Sequence, residues 1–217
     1  MAPGGRHLVV FDVNVYLDVA SLVGSPFSWE AFDALAASAG SATVPHPDNQ
    51  AYDSLRAIAA CLSGTFAGTE TVEVCTNDHI ENMVHAKAQH PIQPAPGSDH
   101  RGLGWTRADA GSLLKRLVWD TVDRSNGQCV PSYTPDGHPP LDHEDGMVYG
   151  ACKYIAGDDP LATVYCVTHD GGFLTAAKEG RLSGHTKVLP PWKFVALVRA
   201  ARASVGLRRM RPGGPQL

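Results

Sequence analysis

The strongest constraint on this 217-residue chain is a short, wholly apolar run that ends abruptly in an acid. Residues 8–11 read Leu-Val-Val-Phe, and Asp12 follows directly. A run that is apolar at every position suits a strand buried on both faces, as in a central parallel sheet. A carboxylate placed directly after such a strand is costly unless it is paired or bound to a cation. The N-terminal segment therefore predicts an α/β fold with an acid at the carboxyl edge of its sheet.

Strand-like and helix-like segments alternate along the rest of the chain. Short apolar, β-branched runs predict three further strands, at 72–75, 163–167 and 187–189. Apolar residues spaced three and four apart predict helices between them. The predicted helices cover 28–38, 51–62, 80–87, 107–122, 147–155 and 192–204. This order predicts a three-layer α/β sandwich, in which helices flank a central, mainly parallel β-sheet.

The length predicts one domain, because about 150 residues per domain is typical of globular chains. We expect this domain to span residues 1–205, with extra material near 40–70 and 89–141. Both segments include loops rich in Pro, Gly, Ser or Asn, and long loops in compact domains are often functional. Residues 206–217 contain three arginines among Pro and Gly and are predicted to form a disordered tail.

Composition and charge exclude several classes of protein. Five widely spaced cysteines without a CxxC motif argue against a disulfide framework, and Cys75 and Cys166 are predicted core residues. No apolar run approaches the roughly 20 residues of a membrane helix, so we expect a cytoplasmic protein without a membrane partner. The net charge of −4 does not favour general nucleic-acid binding. A small acidic, metal-filled site would still bind phosphate locally.

Five acidic residues follow strands or open helices in this pattern. Asp12 and Asp170 come one to three residues after apolar strands. Glu81, Glu144 and Asp145 lie in the first turns of helices. In a parallel sheet these positions share one edge, where ligands bind. Carboxylates crowded together at neutral pH need a divalent cation or raised pKa values. Oxygen ligands favour Mg²⁺ or Mn²⁺ over zinc, so the pattern predicts a magnesium or manganese site.

Each of these acids also has a purely structural interpretation. An acid in the first turn of a helix interacts favourably with the helix dipole, and an acid just before a helix caps it. Asp142 is predicted to be such an N-cap, and Asp170, which precedes Gly171-Gly172, suits a turn or a cap. Asp12 is the hardest to explain in this way, because it follows four apolar residues. The joint placement of the acids at one edge favours the metal site.

The order of these segments resembles the PIN domain family of metal-dependent nucleases. The opening strand with its acid, the acidic helix start, the strand that ends in Thr-x-Asp before an aromatic residue, and the closing strand and helix all have counterparts in that family. These segments are 8–17, 144–151, 165–174 and 188–194. The resemblance covers the chain outside the two long segments near 40–70 and 89–141.

The resemblance implies an endonuclease that cleaves RNA, similar to the toxins of bacterial toxin–antitoxin pairs. The resemblance implies that four acids are ligands of Mg²⁺ or Mn²⁺: Asp12, Glu144, Asp145 and Asp170. The catalytic acids that it implies are Asp12, Asp145, Asp170 and, in addition, Glu81. It implies that Asn14 and Thr168 are supporting polar groups. Glu81 matches the family pattern least well, because it lies further along the chain than a compact member would place it. The partners that the resemblance implies are single-stranded RNA, an antitoxin protein and a second copy of the chain.

The residues that would contact the substrate are less clearly marked. Single-stranded RNA is bound by basic groups combined with stacking aromatic rings. The candidates near the second long segment are Arg101, Arg107, Lys115 and Arg116 with Trp105, Trp119 and Tyr133. The same basic groups suit a solvated surface, and the spacing of Trp119 from Leu113 and Leu117 also suits the core. His143 and His169 flank the acids, where they either contact phosphate or face solvent.

Other classes of protein fit these residues less well. A phosphatase of the haloacid-dehalogenase type needs a second aspartate at position 14, which is asparagine here. No glycine motif for phosphate or dinucleotide binding follows the first strand. A zinc site built from Cys129, His138 and His143 has unfavourable spacing. The alternative that stays open is a PIN-like module with a weak catalytic site that binds RNA or protein.

Overall fold

A six-stranded β-sheet forms the centre of the structure. The computed structural model describes residues 5–41, 50–93, 102–131, 134–138, 140–182 and 184–210. The strands are β1 (Arg6–Phe11), β2 (Thr65–Ala67), β3 (Glu70–Thr76), β4 (Gln128–Cys129), β5 (Thr163–Val167) and β6 (Lys187–Leu189). The sheet is mixed but mostly parallel, and helices flank it. This arrangement confirms the predicted α/β class and is compatible with the predicted three-layer sandwich.

Helices connect most of the strands. They are α1 (Val13–Val23), α2 (Trp29–Ser41), α3 (Gln50–Cys61), α4 (Asp78–Gln89), α5 (Arg107–Leu113), α6 (Asp120–Arg124), α7 (His143–Asp158), α8 (Gly171–Lys178) and α9 (Pro191–Met210). A π-helical segment, Leu114–Trp119, joins α5 to α6. Within the described ranges, no helix combines the length and the apolar character needed to cross a bilayer.

The strand order places the end of β1 in the middle of the sheet. The order is β2-β3-β1-β5-β6, with β4 paired beside the end of β3. β2 is antiparallel to β3, and the other pairings are parallel. Val10 of β1 lies opposite Cys75 of β3 and Cys166 of β5. The carboxyl ends of these three strands therefore meet at one edge, at the type of topological switch point where α/β proteins bind ligands.

The apolar runs that predict the central strands also form the core. Val9, Val10 and Phe11 are fully buried, and full burial of one such side chain contributes about 1.5–3 kcal/mol. Cys75 and Cys166 are buried free thiols on the neighbouring strands, which confirms their predicted place in the core. The sheet edge that holds the acids is thus built on tightly packed strands.

Two helices at this edge differ from the predicted pattern. α1 follows β1 directly, although its valines and tyrosine favour strands, because its apolar face is buried and Asp12 caps its first turn. α8 begins at Gly171, where the Gly171-Gly172 pair predicts a turn. Its start is fixed by the Asp170 side chain, which accepts a hydrogen bond from the Phe173 backbone N–H. In both places the acid after a strand is also the cap of the next helix.

The two long segments contain regular structure as well as loops. α3 and β2 lie in the segment near 40–70, and α5, α6 and β4 lie in the segment near 89–141. β2 and β4 contain only three and two residues, too few for a periodic pattern to reveal them. The predicted helix at 107–122 is interrupted by the π-helical segment and extends to Arg124. Residues 42–49 and 94–101 of the predicted loops lie outside the described residues.

The C-terminal helix extends beyond its predicted end at 204. α9 continues to Met210, so residues 206–210 are helical where the sequence predicts a disordered tail. The Arg202 guanidinium donates hydrogen bonds to the carbonyl oxygens of Ala60 and Thr65, and this anchoring holds the last part of α9 against α3 and β2. Residues 211–217, the rest of the predicted tail, lie outside the described residues.

Candidate active site

Asp12 is held rigidly where β1 ends and α1 begins. Its Oδ1 atom accepts a hydrogen bond of 2.6 Å from the Val13 backbone N–H, which caps α1. Its Oδ2 atom accepts two more, of 2.7 Å from Asn14 Nδ2 and 2.6 Å from the Thr168 hydroxyl. Asp12 is only 5% exposed. Burial raises the pKa of Asp12, and the bonds from Thr168 and Val13 oppose that shift.

Thr168 and Asp170 follow β5 on the neighbouring side of β1. The Thr168 hydroxyl donates to Asp12 and accepts a hydrogen bond of 2.9 Å from the Asp170 backbone N–H. Asp170 caps α8 through its Oδ1 atom, which is 2.7 Å from the Phe173 backbone nitrogen. Among the described residues no donor contacts the other oxygen of Asp170. The buried Thr168 hydroxyl thus links Asp12 and Asp170, the acids that cap α1 and α8.

Asp145 enters the same region from a different element, the first turn of α7. Asp142 is the N-cap of that helix, as predicted, and its Oδ1 atom accepts a hydrogen bond of 2.8 Å from the Asp145 backbone N–H. Within the described residues, the Asp145 carboxylate itself has no hydrogen-bond donor. Burial, and after it the charges of Asp12, Asp170, Asp142 and Glu144, raise the pKa of Asp145 to about 7. The raised pKa thus reflects burial first and the neighbouring carboxylates second.

These side chains surround one cavity of about 170 Å³ at the carboxyl edge of the sheet. We call it the acidic cavity. Its lining residues are Asp12, Val13, Asn14, Leu17, His79, Lys87, Asp142, Glu144, Asp145, Val148 and Asp170. The structure thus brings together the four predicted metal ligands and Asn14, while Thr168 supports them from behind through Asp12. The acids come from three separate elements of the fold, as the sequence pattern predicts.

Lys87 and His79 of α4 line the acidic cavity but are not among the site residues that the sequence predicts. Lys87 Nζ lies 2.7 Å from Glu144 Oε2, and the positive charge of Lys87 lowers the pKa of Asp12. Burial lowers the pKa of His79, whose Nε2 atom is buried with no hydrogen-bond partner in the described structure. The spacing of four that relates His79, Met83 and Lys87 could have revealed this shared face of α4.

Glu81 does not join the other acids, although the resemblance implies a catalytic role for it. It lines a second, larger cavity beside β3, β4 and the π-helical segment, together with Thr76 and Cys129. Positions two apart on a helix do not share a face, so Glu81 is directed away from the stripe of α4 that holds His79 and Lys87. Glu81 is therefore not among the described residues that line the acidic cavity.

The predicted histidine neighbours of the acids do not line the acidic cavity. His169 lies beside the cavity, but its ring is directed towards Ser54 and Asp18. The His169 Nε2 atom is 2.9 Å from Ser54 Oγ and 3.3 Å from Asp18 Oδ2. Both contacts use the same ring nitrogen, and Ser54 is fully buried, so this cluster lacks the geometry of a nucleophilic triad. His143 lies edge-on to His79, with ring centroids 6.4 Å apart.

The donor chemistry of the acidic cavity fits a hard divalent cation, since carboxylate and amide oxygens are the groups that Mg²⁺ and Mn²⁺ prefer. The present side-chain positions do not form a complete set of ligands. Among the described His, Cys, Asp and Glu residues, no group of three or more is placed to hold a metal ion. This also applies to Cys129, His138 and His143, whose spacing already disfavours a zinc site. Cation binding in the acidic cavity would require movement of side chains, and no donor among the described residues restrains the Asp145 carboxylate.

None of the described candidates for RNA contact lines the acidic cavity. Lys115 and Arg116 are exposed on the π-helical segment. Trp119 is 44% exposed and lines the second cavity, so it lies at the surface and not in the core. Trp105 is partly buried against the core. Arg101 and Tyr133 lie outside the described residues.

No protein-family model, curated protein or solved structure matches the chain. The residues of the acidic cavity and the fold that positions them are therefore the features that indicate a function. The most specific feature of that cavity is the convergence of Asp12, Asp145 and Asp170 from three elements.

Proposed function

We propose that this protein is a divalent-cation-dependent nuclease that hydrolyses phosphodiester bonds in RNA. The observation that supports this most directly is the lining of one cavity by Asp12, Asp145 and Asp170, with the pKa of Asp145 raised to about 7. The order of the strands, the acids and the following helices resembles the PIN domain family. A mostly parallel sheet flanked by helices is compatible with a PIN-like sandwich.

The charge of the acidic cavity supports a role for a cation. Five carboxyl side chains line it, and Lys87 is the one lysine or arginine among its described lining residues. Asp12, Glu144, Asp145 and Asp170 are the residues that would hold Mg²⁺ or Mn²⁺. When bound, such an ion activates water and neutralises charge on the scissile phosphate and the leaving oxygen.

The residues of the chain divide the remaining tasks between them. Thr168 and Asn14 fix one oxygen of Asp12 through two short hydrogen bonds, so that this carboxylate keeps a constant position. Asp145 has no such restraint and adjusts to what enters the cavity. Lys87 gives the cavity a positive charge that attracts a phosphate group and opposes the repulsion among the acids.

The same proposal includes the partners that the family resemblance implies. Single-stranded RNA is the proposed substrate, and the proposed setting is a cytoplasmic toxin that an antitoxin protein inhibits. A second copy of the chain is the further proposed partner. Neither the antitoxin protein nor the second copy is needed for the chemistry of the acidic cavity, so the cleavage reaction is tested first with the purified chain.

The test is a panel of single-stranded and double-stranded RNA and DNA incubated with the full chain, with Mg²⁺ or Mn²⁺ and with EDTA. Asp12→Asn and Asp145→Asn are compared with Asp33→Asn, a matched variant at an exposed position of α2. We expect the wild type and Asp33→Asn to cut RNA, and we expect EDTA or either cavity variant to abolish cutting. Equal cutting by the wild type and both cavity variants would overturn the proposal.

A second candidate function, an RNA-binding or protein-binding module with weak catalysis, is supported by Lys87. Its ammonium group at 2.7 Å from Glu144 offers the acids a built-in countercharge, and no described group of three acidic, histidine or cysteine residues forms a ready metal site. This candidate predicts retention of RNA or of a protein partner in EDTA, together with no cutting of any nucleic acid in the panel.

A further inference from the structure

The second cavity, beside the end of β3, has the size and chemistry of a ligand site. Its volume is about 440 Å³, which falls within the ~300–1,000 Å³ range of small-molecule pockets. Its lining residues are Thr76, Glu81, Trp119, Val122, Asp123, Gly127, Gln128 and Cys129. They come from the ends of β3 and β4, from α4 and α6, and from the π-helical segment. The function proposed for the acidic cavity does not use any of them.

One wall of this cavity is an aromatic ring. Trp119 is the last residue of the π-helical segment and is 44% exposed. Segments of π-helix occur frequently at functional sites. An exposed indole beside a cavity provides a flat surface on which a base can stack.

The polar lining of this cavity is rich in hydrogen-bond acceptors. Glu81 and Asp123 supply carboxylates, and Gln128 supplies an amide, whereas no lysine or arginine is among the described lining residues. Burial, followed by the charges of Glu81 and Asp78, raises the pKa of Cys129 to about 11, which indicates a negative local potential. Such a lining repels phosphate and attracts groups that present several N–H donors.

One buried polar group in the lining has no partner. Thr76 is only 1% exposed, and its Oγ1 atom forms no hydrogen bond within the described structure. A buried hydroxyl without a partner is unfavourable, and most such groups in folded proteins are bonded to protein, water or a ligand. Thr76 lines the cavity together with Glu81 and Gln128, so this unpartnered hydroxyl belongs to a residue of the cavity wall.

We propose that the second cavity binds a guanine base. Guanine presents two neighbouring donors, N1–H and the N2 amino group, which match the two oxygens of a carboxylate such as Glu81. Its O6 and N7 acceptors suit a hydroxyl or amide donor such as Thr76 or Gln128. Uracil presents a single N–H between two carbonyl oxygens, which the carboxylates repel. The ring system stacks on Trp119, as unpaired bases do on exposed aromatic side chains.

The placement of this cavity connects base binding to cleavage. α4 lies between the two cavities, because His79 and Lys87 line the acidic cavity while Glu81 lines the second. β3 pairs with β1, so Thr76 and Asp12 follow neighbouring strands at the same edge of the sheet. An RNA strand with a phosphate at Asp12 could therefore place a nearby guanine against Trp119. The assignment of this base to an RNA substrate rests on the proposed nuclease function, whereas binding of the base itself does not.

The test is isothermal titration of the full chain with guanosine, adenosine, cytidine, uridine and 1-methylguanosine, in EDTA. We expect guanosine to bind most tightly and uridine to bind least. We expect 1-methylguanosine, which lacks the N1–H donor, to bind at least about tenfold more weakly than guanosine. Glu81→Gln and Trp119→Ala should each weaken guanosine binding to a similar extent, and Glu30→Gln, a matched change at an exposed position of α2, should not.

Several outcomes overturn this inference. They are the absence of guanosine binding, equal binding of all the nucleosides, or guanosine binding that neither Glu81→Gln nor Trp119→Ala weakens. If Glu81→Gln does not fold, guanosine binding by Trp119→Ala and 1-methylguanosine binding by the wild type still test the inference. Guanosine binding without cleavage of any RNA would support the base site and count against the proposed nuclease function. RNA cleavage without guanosine binding would overturn the base site alone.

Discussion

The Thr168 hydroxyl donates a hydrogen bond of 2.6 Å to Asp12 Oδ2, although the two residues are 156 positions apart in the sequence. This bond joins the ends of β5 and β1 at the point where the strand order reverses direction. The same hydroxyl accepts a hydrogen bond from the Asp170 backbone N–H. One buried side chain thus sets the positions of two acids of the acidic cavity, and Thr168 acts as a positioning residue.

Replacement of Thr168 by valine tests this role, because valine keeps the shape and removes the hydroxyl. We expect Thr168→Val to lower the free energy of unfolding by about 1–3 kcal/mol, since Asp12 and the Asp170 N–H lose a buried partner. We expect RNA cleavage and cation affinity to fall about 10–100-fold, as is typical when a residue that supports a metal ligand is lost. Urea denaturation and a cleavage assay at several Mn²⁺ concentrations measure the two effects.

Thr168→Ser is the matched control, because it keeps the hydroxyl and removes only a methyl group. It should retain most of the cleavage and the cation affinity of the wild type. Cleavage by Thr168→Val that equals cleavage by Thr168→Ser would show that the bond to Asp12 has no part in the reaction.

The raised pKa of Asp145 predicts how the stability of the cation-free protein depends on pH. Its pKa is raised from 3.8 to about 7 in the folded protein, so the folded state binds this proton more tightly than the unfolded state does. The free energy of unfolding should therefore fall as the pH rises through this interval, and be highest below it. Asp145 is partly exposed, so solvent screening limits the effect to about 1 kcal/mol.

Asp145→Asn removes the charge and should flatten this dependence. In EDTA at about pH 8 the variant should be more stable than the wild type by about 1 kcal/mol, and at about pH 4 the two should be equal. Urea denaturation at both pH values measures the difference, with Asp33→Asn as the matched control. A loss of stability in Asp145→Asn at both pH values would show that this residue is a structural part of α7 instead.

Addition of a cation should stabilise the wild type and not the cavity variants. A ligand present at about 100 times its dissociation constant stabilises the folded state by about 2.7 kcal/mol. For a chain of this length that corresponds to an increase in Tm of several degrees. Thermal unfolding with and without Mn²⁺ should show this increase for the wild type and for Asp33→Asn. Equal increases in Asp12→Asn and Asp145→Asn would place the cation outside the acidic cavity.

The sequence is sufficient to predict where Asp12, Asp145 and Asp170 lie, because that follows from strand direction alone. Acids after two parallel strands share one edge of the sheet, and an acid at the start of a helix joins them when that helix begins at the same edge. The sequence also predicts the cap role of Asp142, since an aspartate just before a helix is its usual cap. These inferences need only local patterns and one rule of sheet topology.

The position of Glu81 could not be predicted in the same way, because it depends on how α4 is rotated about its axis. Residues two apart on a helix differ by about 200° in direction, so the rotation of α4 about its axis, which the local pattern does not fix, decides whether His79 or Glu81 lies at the cavity. α1 and α8 are missed for a different reason. Asp12 is interpreted as a ligand, and its second role as a helix cap becomes visible only from the backbone bond to Val13. A cap role is one of the alternatives for Asp170, but the Gly171-Gly172 pair favours a turn over the helix whose start the bond to Phe173 fixes.

Lys87 distinguishes the proposed nuclease from the binding module, because its ammonium group and a cation compete for the same acids. Lys87→Gln removes a positive charge from the acidic cavity, so the cation-free protein should lose about 0.5–1 kcal/mol of stability through repulsion among the acids. The affinity for Mn²⁺ should rise several-fold, because no built-in countercharge opposes the ion. Titration of Tm against Mn²⁺ concentration measures both effects, with Lys178→Gln at an exposed position of α8 as the matched control. If Lys87→Gln leaves the Mn²⁺ titration unchanged while RNA is retained in EDTA, Lys87 is the permanent countercharge of a binding module.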